Sequence, residues 1–522
     1  MAFKLRWDYR LLVTICALCS LPFLTRAQAE KTPTAEPALW QDQIVYVLIP
    51  QKFFDGNLSN NFMREQYHLP NPKFQGGFLG GDLAGIHQQM DYLKNLGVTS
   101  ILLYPVLKND QKDFLGYLPT GYRVSDYHSI DPNFGTSAEL TQVINDLHSD
   151  QPSPRLNVIL DLPFAMTGME HPWFKNAAAY PNYFRPWNST SPSNNIASQP
   201  LRLAGNQVDN NYGMAILNVT NGMDTASGTY RAVRDGIMFW LADHFDFDGF
   251  RYDSAQNIPP VFWQHAIGDF HAHYDRSKPG FFHVGEVAID RLRSWQQPLD
   301  HYLDHDGHIL MDGIYDFALI FKLQNVFAAG ADARSLVRAI NNPSPGLEHP
   351  ERMIASIDNY EDQTFLKRVH DANAHERLRL ALVFLLTINR VPFIYSGNEI
   401  GIDYSEPGEL FRRQTQYSTN LAFFKTLTLL RHEHSALRQG ALKWLVSAPN
   451  VLCYSRETQQ ETLIVALNIS DKPQVLALPS NAIGKNYTHA KNLLQPDESC
   501  SQMIRDLKLD MAPWSAKVIE LE

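Results

Sequence analysis

Four stretches of this 522-residue chain place reactive side chains just beyond a short, β-rich apolar run. "DGFRYDSAQNI" carries Arg251 and Asp253, and "FFHVGEV" carries Glu286. "NVILDL" ends close to Asp161, and "SIDNYEDQTF" follows its apolar residues with Tyr360 and Glu361. Several carboxylates and an arginine converging on one mouth suit the chemistry of a glycosidic bond. One carboxylate attacks carbon while another gives and later takes a proton, their roles set by environment.

Such residues converge only if the elements before them share one edge. Eight runs read as strands: 44 to 49, 100 to 104, 157 to 162, 248 to 252, 281 to 285, 313 to 317, 353 to 357 and 392 to 396. Helical patterns such as "MDYLKNLG" and "RLRLALVFLLTI" fall between them, which predicts a parallel (β/α)8 TIM barrel in the α/β class. Runs with both flanks apolar fit a sheet covered on both faces. Residues 163 to 227, rich in Asn, Pro, Tyr and Trp, break the pattern and read as an insertion after the third strand. After a helix predicted over 422 to 440, the runs "VLCYSRE", "ETLIVALNIS", "QVLALP" and "SAKVIEL" predict a C-terminal antiparallel β-sandwich.

The first 29 residues differ in kind. Lys4, Arg6 and Arg10 precede the apolar run "LLVTICALCSLPFL", and "AQA" at 27 to 29 supplies small residues for cleavage. They read as a signal peptide, so the expected location is secreted or periplasmic. The apolar run is short for a membrane anchor, and no later stretch could span a bilayer. The segment's four bases and one acid carry +3, so its removal takes the net charge from −10 to −13. An acidic protein of this kind is not expected to bind nucleic acid or insert stably in a membrane. Cys453 and Cys500 would remain, and in an oxidising compartment they could pair. The expected boundaries are 1–29 for the signal peptide, 30–437 for the barrel with its 163–227 insertion, and 438–522 for the sandwich.

These segments resemble the α-amylase family, glycoside hydrolase family 13, in texture nearest its cyclomaltodextrinase and neopullulanase branch. The likeness extends through "GGDLAGIHQQMDYLKNLGVTSILLYPV", "GYRVSDYHSIDPNFGT", "EHPWF" and "LLTINRVPFIYSGNEIG". It implies Asp253 as nucleophile, Arg251 as the arginine supporting it, and Glu286 as proton donor. Tyr122 of the "GY" pair would stack on the sugar, and Asp161, Tyr360 and Asn257 would also bind substrate. The implied substrate is an α-glucan or a maltooligosaccharide.

Two motifs depart from the family pattern. Where the family has Asp-x-x-x-Asn-His, this chain reads "DLPFAM", with Ala165 and Met166 in place of Asn and His. Where it has Asn-His-Asp, this chain reads Asn359, Tyr360 and Glu361. A rival alignment with one inserted residue would put Asp362 at the carboxylate position; the gapless one keeps "IDN" and "FLKR" in register. A thioether is at best a weak acceptor, and the family asparagine lost at Ala165 ligates calcium in many members. The extra methylene of Glu361 displaces its carboxylate by ~1.5 Å, and ~1 Å can cost about 10²-fold. With a lost hydrogen-bond donor the sum is about 10³- to 10⁴-fold, against accelerations of up to ~10¹⁷. The arithmetic favours a weakened or retargeted hydrolase over an inert one. The alternatives are a glucan-binding protein that no longer turns substrate over, and a transglycosylase using the same intermediate.

The resemblance also implies a calcium loop built from Asp55, Asn57, Asn60, Asn61, Gly80 and Asp82; only two of these are charged, so an ordinary Asn-rich turn is the competing reading. No other cofactor is implied, and the oligomeric state is open. His301, His305 and His308 read as a solvated loop at the barrel rim. Trp173, Tyr183, Phe184, Trp187 and Tyr212 are either sugar platforms beside the mouth or the insertion's own small core.

Overall fold

Each of the eight apolar runs forms a strand in the computed structural model. The structure describes residues 39–61, 79–111, 121–151, 154–164, 166–187, 201–203, 206–208, 210–211, 214–218, 228–288, 299–305, 308–342, 347, 349–359, 364–404, 406–479, 487, 489–495, 499–500 and 506–521. The segment read as a signal peptide lies outside them, as do Ala165, Tyr212, Tyr360, Glu361 and Asp362. The strands are β1 (Val45–Leu48), β2 (Ser100–Leu103), β3 (Asn157–Leu162), β4 (Gly249–Tyr252), β5 (Phe282–Gly285), β6 (Gly313–Ile314), β7 (Ile354–Ser356) and β8 (Val391–Tyr395).

Neighbours in sequence are neighbours in the sheet, every pairing is parallel, and β1 pairs with both β2 and β8. Between β6 and β7 the described contact is one bridge, Tyr315 to Ile354, with Asp316 N–H donating to the Ile354 carbonyl at 2.9 Å. That bridge closes the barrel. Helices fill the intervals, among them Ser137–His148 before β3, Pro260–Tyr274 before β5 and Ala374–Thr387 before β8. Ser137–His148 starts on a capping box made by Thr136 and Glu139, and Pro260–Tyr274 starts on a proline; both are strong helix-start signals.

Side chains alternate along a strand, and the two faces here go to two cores. Val45, Val47, Leu102, Ile159, Phe282, Val284 and Phe393 fill the barrel interior, plugged below by Trp40, which lies 5.3 Å from Phe282 and 6.1 Å from Phe393. Tyr46, Leu48, Leu103, Leu160, Leu162, Phe250 and Tyr252 face the helices. The same period therefore assigns Asp161, Arg251, Asp253 and Glu286 to the interior face, each two or four residues past an inward neighbour. Gly285, just before Glu286, is required by space: a Cβ there would meet the Met311 sulfur at 2.2 Å.

In the insertion, Met166–Thr167, Met214–Ile216 and Asn210–Asn211 form a small antiparallel sheet. Trp173 packs edge-on against Tyr183, Phe174 packs likewise against Phe184, and these residues rest on the main core. Of the two readings of these aromatics, the insertion's own core is the one seen for Trp173, Tyr183 and Phe184.

The helix expected over 422 to 440 is in fact two, Ser418–Glu433 and Ser435–Gln439, broken at His434. Glu461 explains the break, since its carboxylate bonds the His434 ring (2.8 Å) and accepts from Ser435 Oγ (2.8 Å) and Ala436 N–H (2.7 Å). Beyond it, Ala441–Ser447, Val451–Glu457, Thr462–Asn468 and Ser515–Leu521 run antiparallel and face the pair Gln474–Pro479 and Asp506–Met511. The Cys453 to Cys500 pairing is not formed: Cys453 is buried with a free thiol, pushed up to about 12 by that burial. Arg431 and Arg456, both buried, donate to the carbonyls of Leu386, Thr387, Arg390 and Gly440, tying the C-terminal sheet to the base of β8. Among the described residues no helix is long and apolar enough to cross a membrane.

Candidate active site

Arg251, the penultimate residue of β4, points into the barrel, and its in-register partner on β3 is Asp161. Only 5% of Arg251 is exposed, so its charge must be met by protein groups. Nη1 donates to Asp161 Oδ1 at 2.7 Å and to Asp253 Oδ1 at 2.8 Å, while Nη2 lies 3.0 Å from Glu286 Oε2. One planar fork thus holds carboxylates from three adjacent strand ends, a task that suits arginine's fixed donors. Asp253 and Glu286 are placed by the ladder itself, through Asp253 N–H to the Leu162 carbonyl and Glu286 N–H to the Tyr252 carbonyl, each at 3.0 Å.

Three carboxyl groups share one cation, so they cannot all ionise at their ordinary pKa values. Burial pushes Asp161 up to about 6, although Arg251 and a 2.8 Å hydrogen bond from Tyr122 Oη pull it back. Asp253 is held well above the usual carboxylate range, first by burial and then by the charge of Glu286, with which it shares a hydrogen bond. Double displacement needs two neighbouring carboxyls in different roles, one attacking carbon and the other moving a proton.

Tyr104, Tyr315 and Tyr395, at the ends of β2, β6 and β8, complete the pocket wall with Phe317, Ser356 and Asn359. The Arg251 guanidinium lies 5.5 Å from the Tyr315 ring centre, within cation–π range. Sequence reasoning passed over these tyrosines, although the strand-end rule that found the carboxylates points to them too. It also passed over Ser254, whose backbone is left-handed (φ 51°, ψ 38°) and whose N–H donates to Glu286 Oε2 at 3.0 Å.

Asp161, Arg251, Asp253 and Glu286 are brought together. Tyr122 reaches them from a buried position through Asp161. Asn257 is half-buried in the short helix Ala255–Asn257 and does not line the pocket; its carbonyl faces Arg185 Nη1 at 3.4 Å. Tyr360 and Glu361 lie outside the described residues, but Asn359 before them lines the pocket. Met166 is 1% exposed and belongs to the apolar cluster of Tyr104 and Tyr122. Its carbonyl accepts from Tyr127 Oη.

A family model described as the alpha-amylase catalytic domain matches residues 47–435. The chain belongs to the alpha-amylase family. It is therefore a glycoside hydrolase, and within the family it is similar to the cyclomaltodextrinase of Thermoanaerobacter pseudethanolicus, 25% identical over 86% of this chain and 74% of that protein. A Bacillus subtilis protein named an intracellular maltogenic amylase is also 25% identical, over 92% and 76%. The solved alpha-amylase of Geobacillus thermoleovorans in complex with acarbose superposes with a TM-score of 0.73 at 25% identity, covering 93% of this chain and 99% of that one. An Anoxybacillus alpha-amylase at 24% identity has the same fold, with a TM-score of 0.75 over 93% and 98%.

Among the described residues no three His, Cys, Asp or Glu are grouped to hold a metal. The sequence-derived calcium loop is a different kind of site, rich in amide oxygens. Asp82 is already engaged, its carboxylate accepting from Gly56 N–H, Asn57 N–H, Asn60 Nδ2 and Gly85 N–H at 2.7 to 3.0 Å. Asn57 Oδ1 accepts from Ser59. Asp55 Oδ2 accepts from Asn61 Nδ2 at 2.8 Å. The side-chain oxygens of Asn60 and Asn61 are buried without a hydrogen-bond partner, and Asp55 Oδ2 and Asn61 Oδ1 converge on Gly80, within 2.9 Å of where a Cβ would stand. Buried, unsatisfied oxygens around a residue with no side chain fit a hard cation.

Proposed function

We propose that this chain hydrolyses α-glucosidic bonds of maltooligosaccharides or cyclodextrins with net retention. The observation that carries this reading is the Arg251 fork, which holds Asp253 at 2.8 Å and Glu286 at 3.0 Å at the ends of adjacent strands. Asp253, fixed by Arg251 Nη1, attacks the anomeric carbon, and Glu286 protonates the leaving oxygen. In the second half, Glu286 takes a proton from water as water displaces Asp253. Asp161, with its donor Tyr122, grips the sugar beside the nucleophile. Glu361 is assigned from sequence to stabilise charge at the anomeric carbon, with Tyr360 beside it as a donor to the sugar. Asn257 is retained from sequence as a contact to the leaving portion of the substrate.

Calcium, where bound, would sit among Asp55, Asn60 and Asn61 with the Gly80 backbone. It would act by cross-linking that loop to the start of helix Leu83–Gln88. No catalytic step passes through it. Export through residues 1–29 belongs to the same reading.

The test is product analysis with maltoheptaose and β-cyclodextrin. Asp253→Asn and Glu286→Gln should each lower kcat by at least about 10³-fold, since each removes a group that acts in the transition state. Retention of configuration should be visible as an α-anomeric first product. Binding in a calorimeter with no turnover by the parent would leave a glucan-binding protein, and activity untouched by Glu286→Gln would refute the assignment. Glu361→Asp refines the reading: a rise in rate marks the longer carboxylate as a defect, and a fall marks a site rebuilt around it.

A further inference from the structure

Arg251 meets three neighbouring strand ends through hydrogen bonds and a fourth through a ring. Its outer nitrogens bond Asp161 on β3, Asp253 just after β4 and Glu286 just after β5, while its Nε is buried without a hydrogen-bond partner. Toward β6 the guanidinium lies over the ring of Tyr315, 5.5 Å from the ring centre. That ring is itself held. It stacks on Phe317 at 5.5 Å with 19° between the planes, and it meets the edge of Phe393 at 5.5 Å and 76°. Phe393 rests in turn on Trp40, the plug of the barrel. Tyr315 is buried, and its backbone makes the bridge to Ile354 that closes the sheet.

We infer that Tyr315 is a positioning residue for Arg251, and that the face of its ring steadies the guanidinium and thereby the presentation of Asp253. This rests on the proposed function, in which Asp253 attacks the anomeric carbon. A hydrogen bond tolerates bending of about 30° from linear before it weakens steeply, so three bonds reaching one arc of the barrel leave the fork room to lean. An aromatic face attracts a cation most strongly where both are shielded from water. It also supplies that attraction without an acceptor that would draw an N–H away from the carboxylates. Tyr315 lines the pocket as well, so a contact with the sugar is the competing role. The two differ in what they move: support for Arg251 acts on the attacking group and shows in kcat, whereas a contact made equally to bound substrate and transition state shows in KM.

Substitutions at position 315 of the full chain, assayed on β-cyclodextrin, separate these roles from each other and from simple packing. Tyr315→Phe keeps the ring and serves as the reference. Tyr315→Leu should lie about tenfold or more below it in kcat, with KM changed less than about threefold. Phenylalanine analogues carrying one, two and three ring fluorines keep the shape and progressively drain the negative face. Their kcat should fall stepwise, to about three- to tenfold below Tyr315→Phe at three fluorines, with Tm and circular dichroism unchanged. Packing alone would not follow the electronics of the ring, and this series decides the matter even where the Leu variant does not fold.

Four results overturn the inference. A flat fluorine series removes the cation–π role. A Phe variant as slow as Leu assigns the effect to the hydroxyl, and a Leu variant that raises KM with kcat kept makes the ring a sugar contact. Full activity in Glu286→Gln removes the proposed function and this inference together, whereas an inactive Glu286→Gln beside a flat series removes this inference alone.

Discussion

At the scale of single residues, Arg251 does the most with the fewest atoms. Its two terminal nitrogens meet three carboxylates, and a lysine could offer only one point charge from a flexible stem. Arg251→Lys should therefore lose at least two hydrogen bonds at about 1–3 kcal/mol each, or about 10²-fold or more in kcat/KM. The pH profile should move as well. Arg251 lowers the pKa of both Asp161 and Asp253, so without its fork those groups ionise later and the acid limb shifts upward. A profile that falls in height with the acid limb unmoved would show that the fork only orients.

At the scale of elements, the segment that leaves β7 is anchored by Asp358. Its Oδ1 accepts the Phe365 N–H and its Oδ2 accepts Asn398 Nδ2, both at 2.6 Å, while Ser356 Oγ donates to its carbonyl. Burial pushes this carboxyl up to about 6. A folded-state value above the unfolded one contributes stability below about pH 4 that is lost as pH rises through about 6. Asp358→Asn removes the charge and keeps the shape, and the buried, unpartnered Asn398 Oδ1 can accept from the new amide once Asn398 turns over. The variant should gain up to about 2–3 kcal/mol relative to the parent at pH 8 and almost nothing at pH 3. Urea denaturation at the two pH values checks it; an equal shift at both would place the effect elsewhere.

The strands were legible because period-two alternation is written directly in runs such as "NVILDL" and "FFHVGEV", and the same alternation aims Asp161, Arg251, Asp253 and Glu286 inward. The hairpin Leu107–Asn109 with Val124–Ile130 was not read from the sequence, since two register shifts interrupt its pairing. Strand Asp506–Met511 escaped too, because its alternating charges read as a surface until Leu507, Leu509 and Met511 pack against the larger sheet. The break at His434 depends on Glu461, 27 positions away, and no local pattern encodes it. Ser254 was invisible for a similar reason: serine carries no left-handed signature, and its backbone bond to Glu286 spans 32 positions.

At the scale of the whole molecule, the two expectations that concern maturation and metal can be read from one preparation. Protein recovered outside the cytoplasm should have a mass that begins at Glu30, following export through residues 1–29. If calcium holds the loop of Asp55, Asn60 and Asn61 against Gly80, the same protein should carry about one equivalent by elemental analysis. Chelation should then lower Tm by a few degrees, recoverable with calcium, because an ion bound only in the folded state stabilises by mass action. Full-length mass or a Tm indifferent to chelator would refute the respective expectation.

The barrel's closure between β6 and β7 bears on how the pocket yields. The joint is the Tyr315 to Ile354 bridge and the Asp316 hydrogen bond, whereas β3, β4 and β5 are laced by continuous ladders. Tyr315, Phe317 and Ile320 line the pocket from one side of that joint, and Ser356 and Asn359 from the other. The carboxylates and Arg251 thus stand on the continuously paired side of the barrel. The opposite wall stands where the described strand pairing is shortest, and there Arg352, bonded to the Met311 and Asp312 carbonyls, and Gln324, bonded to that of Ile357, supply the ties instead. A substitution that loosens those side-chain ties is expected to disturb the tyrosine wall before it alters the spacing of the reacting groups.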